Sequence, residues 1–288
     1  MNDMVDWPLT FKCNNNCISC IYNLEMAEKL KVGNPREEQI KKVIDSVRPG
    51  EILSLTGGEP TIREEFFKFL RYAARRDPEM NVAIVSNGRM FCYEEFVNKM
   101  LSTGLKNLKF CIALYGHNKR LHDAITRVPG SFEQTIKGVK NLLERNLPVE
   151  LRIIISKINY KHLADIANFV VKDLGKVYRV VFINMKYTGN AYINRKAIFV
   201  RYKDLVPYAE RAADILLEND IEVRLFHFPL CTIKKKYWDL AKGVTKQKSE
   251  LMFVEECEKC KKKDECPMIW KSYWVLAGGE EFKAIENV

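Results

Sequence analysis

The chain has 288 residues, of which 47% are hydrophobic and 29% charged, with 47 lysines and arginines against 37 aspartates and glutamates. This composition excludes a disordered or fibrous protein, and no run of about 18 apolar residues could cross a membrane. The first residues show no basic region leading into an apolar stretch, so we expect a cytoplasmic protein without a secretory signal. The nine cysteines are therefore expected to serve metal or redox chemistry rather than disulfides.

Short β-branched runs alternate with amphipathic helical patterns along most of the chain. Strands are predicted at residues 7–12, 51–55, 81–86, 108–114, 149–156, 178–185 and 221–226. Helices are predicted at residues 36–47, 63–76, 93–103, 132–146, 162–174 and 205–219. Ser131 is predicted to cap the fourth of these helices. The alternation is typical of right-handed parallel strand–helix–strand units, so the predicted fold class is α/β, as a barrel or an open sheet.

The pattern changes from Pro229 onward, where lysines, scattered aromatic residues and four cysteines replace the strand–helix alternation. We therefore predict a barrel domain over residues 1–226 and a small cysteine-rich, metal-binding extension over residues 227–288. Chemistry in parallel α/β sheets gathers at the C-terminal ends of the strands. The first cysteine group directly follows the first predicted strand, so it is expected at that edge of the sheet.

The first group is Cys13, Cys17 and Cys20, in the pattern Cys-x3-Cys-x2-Cys. Three thiolates leave one iron of a four-iron cluster without a protein ligand, as a catalytic metal site requires. A structural zinc site would need four protein ligands, and no further histidine or cysteine lies nearby in the sequence. Cys92 and Cys111 stand apart from both groups and are interpreted as structural, Cys111 as a small hydrophobic residue in an apolar strand.

In this pattern the sequence resembles the radical S-adenosylmethionine (SAM) enzymes. Two further motifs of that family follow in order, each after a predicted strand. They are Gly57-Gly58-Glu59-Pro60, after the second strand, and Ser86-Asn87-Gly88, after the third. The resemblance spans residues 7–226. Glycines at such positions let the backbone approach a ligand closely because they lack a Cβ atom.

The resemblance implies a partial (β/α)6 barrel in which Cys13, Cys17 and Cys20 hold a [4Fe–4S] cluster whose open iron binds SAM. The cluster would pass an electron from a donor such as ferredoxin or flavodoxin to SAM, and the resulting 5′-deoxyadenosyl radical would take a hydrogen atom from the substrate. The residues implied to contact SAM are Gly57, Gly58, Glu59, Pro60, Asn87 and Arg152, with Tyr115 and Ile183 or Asn184 as further positions.

One position departs from the family pattern. The residue before the last cysteine is often aromatic in these enzymes and packs on the adenine of SAM, whereas this chain has Ser19. Tyr22 is the nearby candidate for that contact.

The second cysteine group is Cys231, Cys257, Cys260 and Cys266. Four thiolates suit a closed zinc site or a fully ligated iron–sulfur cluster. Structural zinc usually takes two Cys-x2-Cys pairs, and this segment has one. The segment resembles the twitch and SPASM auxiliary-cluster extensions of radical SAM enzymes, which implies a second [4Fe–4S] cluster, with zinc or a redox pair as the alternatives. His227 is a candidate ligand or substrate contact.

The positive charge is concentrated in residues 119–201, with 16 basic and six acidic residues, which accounts for the net charge of +10. It indicates either an ordinary solvated surface or an anionic substrate, which could be a peptide, a phosphorylated metabolite or RNA. The candidate residues are Lys119, Arg120, Arg127, Lys186, Arg195, Lys196 and Arg201.

Three functions follow from these patterns. The first is a radical SAM enzyme with an auxiliary cluster that modifies a peptide or small metabolite. The second is a radical SAM enzyme that modifies RNA. The third is a non-catalytic iron–sulfur or zinc-binding protein. The sequence does not specify the reaction outcome or the oligomeric state.

Overall fold

A computed structural model describes residues 4–23, 33–242 and 248–286 of the chain. Its centre is a seven-stranded sheet in which each strand pairs in parallel with the next strand along the chain. The strands are β1 (Met4–Thr10), β2 (Ile52–Gly57), β3 (Asn81–Ser86), β4 (Leu108–Ala113), β5 (Val149–Ile155), β6 (Arg179–Asn184) and β7 (Glu222–Phe226). All seven strand predictions are confirmed, and the seventh strand extends the six-unit barrel that the resemblance implies.

Helices connect these strands, and all six predicted helices are present within three residues at each end. The described helices are α1 (Glu37–Ser46), α2 (Phe66–Arg76), α3 (Glu94–Leu101), α4 (Lys119–Thr126), α5 (Ser131–Leu143), α6 (Leu163–Phe169, continued by a π-helical turn at Val170–Leu174), α7 (Gly189–Ile193), α8 (Arg195–Ile198), α9 (Tyr202–Leu217), α10 (Trp238–Ala241) and α11 (Lys271–Ala277). In the described part of the chain no helix is long and apolar enough to span a membrane.

Strand β5 illustrates how the sequence sets the two faces of the sheet. Val149, Leu151 and Ile153 are fully buried in the main hydrophobic core, on the face that the helices cover. Glu150 and Arg152 alternate with them and therefore point to the opposite, inner face. The inner face of this sheet thus carries charged side chains, whereas many parallel sheets are apolar on both faces.

The beginning of α5 differs from the prediction that Ser131 caps it. Ser131 is the first helical residue, and Gly130 precedes it with φ 82°. The carboxylate of Asp123, on α4, accepts hydrogen bonds from the backbone N–H groups of Gly130 (2.7 Å) and Phe132 (2.8 Å). The cap prediction is wrong because a side chain from the preceding helix satisfies these donors instead.

The C-terminal region forms no further strand–helix units among the described residues. It contains 3-10 turns, the short antiparallel strands β8 (Leu251–Met252) and β9 (Ile269–Trp270), and α11. It packs on the C-terminal end of β6, where Trp270 Nε1 donates to the carbonyl of Asn184 at 3.1 Å. The backbone N–H of Tyr202 donates to the hydroxyl of Tyr273 at 3.0 Å, which joins α9 to α11.

Candidate active site

The loops that follow β1 and β2 are joined by backbone contacts at the C-terminal edge of the sheet. Gly58 N donates to Thr10 O at 2.7 Å, and Glu59 N donates to Lys12 O at 2.8 Å. A Cβ atom on Gly57, which has φ +127°, would lie 2.3 Å from Thr10 O, and one on Gly58 would lie 2.2 Å from Lys12 O. Only glycine fits at these two positions, because the segment leading to the first cysteine lies directly against them.

Glu59 joins the loops that follow β2 and β3. Its fully buried carboxylate accepts hydrogen bonds from the backbone N–H of Thr61 (3.1 Å), the hydroxyl of Ser86 (2.8 Å) and the backbone N–H of Asn87 (2.7 Å). Burial raises the pKa of Glu59, and these donors act in the opposite direction. Pro60 is buried beside it at the beginning of a 3-10 turn. The carboxylate is thus directed at protein donors and fixes the relative position of two motif loops.

Cys13, Cys17 and Cys20 lie together on the loop after β1, as free thiols. Burial raises the pKa of Cys13 to about 11 and that of Cys17 to about 12, and each thiol is close enough to Cys20 that their charges interact. The sulfur of Cys13 accepts hydrogen bonds from Asn15 N (3.3 Å) and Asn87 Nδ2 (3.9 Å). The structure therefore brings the three cysteines and Asn87 into one site.

Arg89 is a contributor that the sequence analysis missed. Its guanidinium donates to the backbone carbonyl of Asn14 and, at 2.8 Å, to Asn15 Oδ1. Its Nε donates to Gln134 on α5 at 2.7 Å. Asn87 Nδ2 also donates to Asn14 Oδ1 at 2.6 Å. The asparagine spacer between the first two cysteines is thus held by the loop after β3. The sequence feature that could have indicated this role is the arginine two residues after Asn87.

Tyr115 follows β4 and reaches the same site. It is buried, and its side chain hydrogen-bonds to Cys17. Its backbone N–H donates to Nδ1 of His122 at 3.3 Å. Burial lowers the pKa of His122 to about 4, so the imidazole is neutral at pH 7 and has a ring nitrogen that accepts this bond. His122 is a second residue that the sequence analysis missed.

Arg152 lies on the inner face of the barrel in an ionic network. Its Nε is 2.8 Å from Glu150 Oε1, and Glu150 is also paired with Lys109 (2.8 Å) and Arg179 (3.4 Å). Burial would raise the pKa of Glu150, but Arg152 and Lys109 lower it to about 2. The structure thus gives Arg152 an internal partner and does not bring it into the cluster of motif loops.

The candidates for the adenine contact lie close to Cys20. Ser19 is buried, whereas Tyr22 is half-buried and packs edge-on against Phe11 with 6.3 Å between ring centroids. Burial raises the pKa of Tyr22, and the charge of Cys20 raises it further, which indicates that the two side chains are close. Asn184 is buried at the end of β6 and its carbonyl accepts from Trp270.

The four late cysteines line one cavity, together with Phe253 and Ile269. Burial raises the pKa of Cys231 to about 12, and the charges of the other three cysteines raise it further. Three lysines also line the cavity, of which Lys262 pairs with Glu265 at 2.5 Å and Lys263 with Glu258 at 2.8 Å; the third is Lys283. The sequence group Cys231, Cys257, Cys260 and Cys266 is therefore also a spatial group.

His227 lies next to this cavity without lining it. It is buried, has φ +63° and stacks on Trp270 with 4.1 Å between ring centroids. Cys92 and Cys111 are buried apart from both cysteine groups, and Cys111 lies beside Glu150 and Arg152.

The contacts of four candidate basic residues in segment 119–201 fall at three different places. Lys186 pairs with Glu250 at 2.5 Å, and Arg201 borders a cleft of about 320 Å³ that also contains Glu280 and Glu281. Arg127 and Arg195 lie near α7 and α8 instead.

The Radical SAM superfamily model matches residues 7–170 of the chain. The AdoMet-dependent heme synthase of Methanosarcina barkeri is 30% identical over 183 residues, which cover 62% of this chain and 50% of that protein. The mycofactocin maturase MftC of Mycobacterium tuberculosis is 27% identical over 164 residues, which cover 56% of this chain and 40% of that protein. The chain thus spans about half the length of these relatives or less.

Solved structures share the fold at low sequence identity. The structure of anSMEcpe with bound AdoMet aligns with a TM-score of 0.63 at 14% identity and covers 97% of this chain and 91% of that one. Streptococcus suis SuiB bound to its precursor peptide SuiA aligns with a TM-score of 0.60 at 14% identity, covering 77% of this chain and 48% of that one.

Proposed function

The chain belongs to the radical SAM superfamily, and we therefore propose that it is an enzyme that cleaves SAM reductively and abstracts hydrogen from a peptide or small metabolite. The observation that carries the proposal is the convergence of four loops, after β1 to β4, on three cysteines. The precursor peptide bound to SuiB and the maturase MftC support a peptide substrate. The heme synthase supports a small-metabolite substrate.

The donor set fits a [4Fe–4S] cluster with one open iron. Cys13, Cys17 and Cys20, whose side chains lie near one another, supply three thiolates and so leave one iron of such a cluster open. A structural zinc site takes four protein ligands, and this loop supplies three.

When bound, such a cluster would supply the electron that cleaves the sulfonium C–S bond of SAM, giving methionine and a 5′-deoxyadenosyl radical. The residues of this chain position these groups. Asn15 and Asn87 donate to Cys13, and Tyr115 to Cys17, which stabilises the thiolates against the cost of their burial. Gly57 and Gly58 hold the backbone of the β2 loop against the cysteine loop.

Further residues complete the proposed SAM pocket. Pro60 and Glu59 would border the amino group of SAM, with Glu59 keeping the β2 and β3 loops in register through Ser86 and Asn87. Tyr22, packed on Phe11, would supply the aromatic contact to adenine in place of Ser19. Arg152 would contact SAM from the charged inner face of the barrel, where it is paired with Glu150.

We assign residues 1–226 to the catalytic core and residues 227–288 to an auxiliary-cluster extension. Cys231, Cys257, Cys260 and Cys266 would hold a second [4Fe–4S] cluster with all four irons ligated. The single Cys-x2-Cys pair in this segment supports this choice over zinc, which usually takes two such pairs. Complete ligation by protein gives this cluster an electron-transfer or structural role.

The test is an anaerobic assay of the reconstituted protein with SAM and dithionite. We expect 5′-deoxyadenosine and methionine in equal amounts. If the protein contains the expected iron and sulfide but forms no 5′-deoxyadenosine, the result contradicts the catalytic proposal and favours the non-catalytic metal-binding alternative.

A further inference from the structure

Two histidines and an aspartate come together between the loops that follow β4 and β5. His117 lies four residues after the end of β4, His162 directly precedes α6, and Asp165 is in the first turn of α6. One possible ligand atom from each of the three lies within 4.8 Å of those from the other two. The rings of His117 and His162 are 5.8 Å apart between centroids. The three side chains therefore form one group, which contains none of the nine cysteines.

The two loops are bonded to each other beneath this group. Asn159, which is fully buried, donates from Nδ2 to Tyr115 O at 3.1 Å, and its Oδ1 accepts from Ser156 N at 2.8 Å. His162 N donates to Asn159 O at 2.9 Å. The backbone that carries His162 is thus joined through Asn159 to the backbone just before His117. The protein itself therefore holds the two histidines near each other.

The pair formed by His162 and Asp165 already has a separation suited to metal ligands. His162 Nδ1 lies 3.1 Å from Asp165 Oδ2. Two ligands of a tetrahedral zinc ion lie roughly 3.4 Å apart, given bonds of ~2.1 Å. Residues three apart on a helical turn lie on the same face, which explains why the imidazole and the carboxylate meet. A metal ion would take the place of the proton that these two groups share.

The ring of His117 is only weakly engaged by the protein. Its Nδ1 is buried and has no hydrogen-bond partner among the residues that the structure describes. Its Nε2 lies 2.8 Å from Asn118 Nδ2, while Asn118 Oδ1 caps α4 by accepting from Leu121 N at 3.0 Å. A buried polar atom without a partner raises the free energy of the folded protein. The His117 ring is therefore the part of this group that gains most from a ligand.

The donor set indicates which class of ion would bind. Two imidazoles and one carboxylate suit zinc and similar divalent transition metals, whereas calcium and magnesium take oxygen ligands. Three protein ligands leave one position of a tetrahedral ion open. The side chains of His162 and Asp165 are 47% and 56% exposed, so that position would face solvent.

Basic residues flank the group along the chain. Lys119, Arg120 and Lys161 are exposed. Their charges oppose a bound cation, but solvent and salt screen exposed charges strongly. We therefore expect the affinity of the group for a metal ion to rise with salt concentration.

We propose that His117, His162 and Asp165 form a binding site for a divalent transition-metal ion of the zinc class, separate from both cysteine groups. The bound ion would join the loops after β4 and β5 at the edge of the sheet where Tyr115 reaches Cys17. This proposal does not depend on the proposed function, because it concerns neither the cysteines nor SAM.

The test uses the protein after reconstitution with iron and sulfide, with Zn²⁺ alone as the probe. His162→Gln and Asp165→Asn each remove one ligand at an exposed side chain, so the fold should be kept. Asp173→Asn, at another exposed aspartate that lies further along the same helical segment, is the matched control. Isothermal titration calorimetry under anaerobic conditions gives the affinity. Anomalous scattering from crystals at the zinc edge gives the position of the ion.

We expect one Zn²⁺ per chain with its anomalous peak among the three side chains. His162→Gln and Asp165→Asn should each weaken binding at least as much as loss of an outer-shell partner does, which is roughly tenfold. Asp173→Asn should match wild type. Asn118→Asp should tighten binding several-fold, because it places a carboxylate beside the His117 ring and keeps the helix cap.

The proposal is overturned if His162→Gln and Asp165→Asn bind Zn²⁺ as tightly as wild type does. An anomalous peak confined to the cysteines would also overturn it. Failure of the protein to cleave SAM would instead refute the proposed function and would leave the result of the zinc titration unchanged.

Discussion

The two cysteine groups differ in how the chain builds them. The early group lies on one loop, residues 13–20, which is held by the loops after β2, β3 and β4 and by α7. The late group is gathered from separate turns between residues 231 and 266 around one cavity. Three ligands on one loop leave a coordination position for a cofactor, whereas four ligands from separate turns close the site.

The surroundings of the sulfurs differ as well. Amide and hydroxyl groups of Asn15, Asn87 and Tyr115 face the early thiols. Lysines and the apolar side chains of Phe253 and Ile269 border the late cavity. The comparison supports the proposal that the early site is built for a reaction and the late site for holding a cluster, and five experiments follow from it.

The largest expected effect is the loss of activity in Cys17→Ala. Removing one of only three ligands should abolish formation of 5′-deoxyadenosine with dithionite and lower bound iron from roughly eight to about four atoms per chain. Cys92→Ala, at a buried cysteine outside both groups, is the matched control and should keep both the iron and the activity. Retained SAM cleavage in Cys17→Ala would show that the early loop is not the catalytic site.

The second experiment removes the late site with Cys257→Ala and Cys260→Ala together. Iron should again fall to about four atoms per chain, but SAM cleavage with dithionite should stay within roughly tenfold of wild type, because the two sites share no ligand. Measurement of iron, sulfide and zinc in the wild-type protein decides the cluster type. About four irons and one zinc per chain would contradict the proposed second iron–sulfur cluster.

The third experiment concerns the charged inner face, which lies beneath the early site and has no counterpart in the late region that the structure describes. Glu150→Gln should lower the free energy of unfolding by about 3 kcal/mol, because it leaves Lys109, Arg152 and Arg179 without a buried carboxylate. Glu222→Gln, at a side chain 36% exposed, is the control and should cost less than about 1 kcal/mol. Urea denaturation measures both values.

The pH dependence of unfolding gives an independent check on Glu150. Its pKa is lowered from 4.5 to about 2, so its stabilising contribution is complete above pH 4.5 and is lost as the pH falls through 2. Stability between these values should therefore decline less steeply in Glu150→Gln than in wild type. Parallel acid profiles for the two proteins would show that the ionic network is not what stabilises the barrel.

The smallest effect is expected from a single methyl group. Gly58→Ala should destabilise the protein by about 2 kcal/mol and weaken SAM binding, because the new Cβ would lie 2.2 Å from Lys12 O. Gly279→Ala, in the C-terminal extension, meets its nearest atom at 3.6 Å and should change the free energy of unfolding by a few tenths of a kcal/mol. Equal effects in thermal denaturation would mean that the early loop is not tightly packed.

Several features of the site could be predicted from the sequence because they depend on residues that are close together along the chain. The spacing of Cys13, Cys17 and Cys20 and the Gly57-Gly58 pair lie within short motifs after predicted strands. Parallel pairing brings the ends of successive strands to one edge, so the motifs had to converge. Alternation along β5 puts Arg152 and Glu150 on one face, whereas the closeness of Cys111 to them comes from the pairing of β4 with β5.

Residue periodicity and short spacings were enough to predict the parallel α/β fold class and the two groups of cysteines, because these depend on local patterns in the chain. Packing between elements was needed to establish that Asp123 caps α5, that neutral His122 supports Tyr115, that Arg89 holds the asparagine spacer and that α7 binds the backbone of the cysteine loop. Each of these contacts joins residues from different elements of the fold. Such contacts depend on how the helices and loops pack around the sheet, which no local pattern encodes.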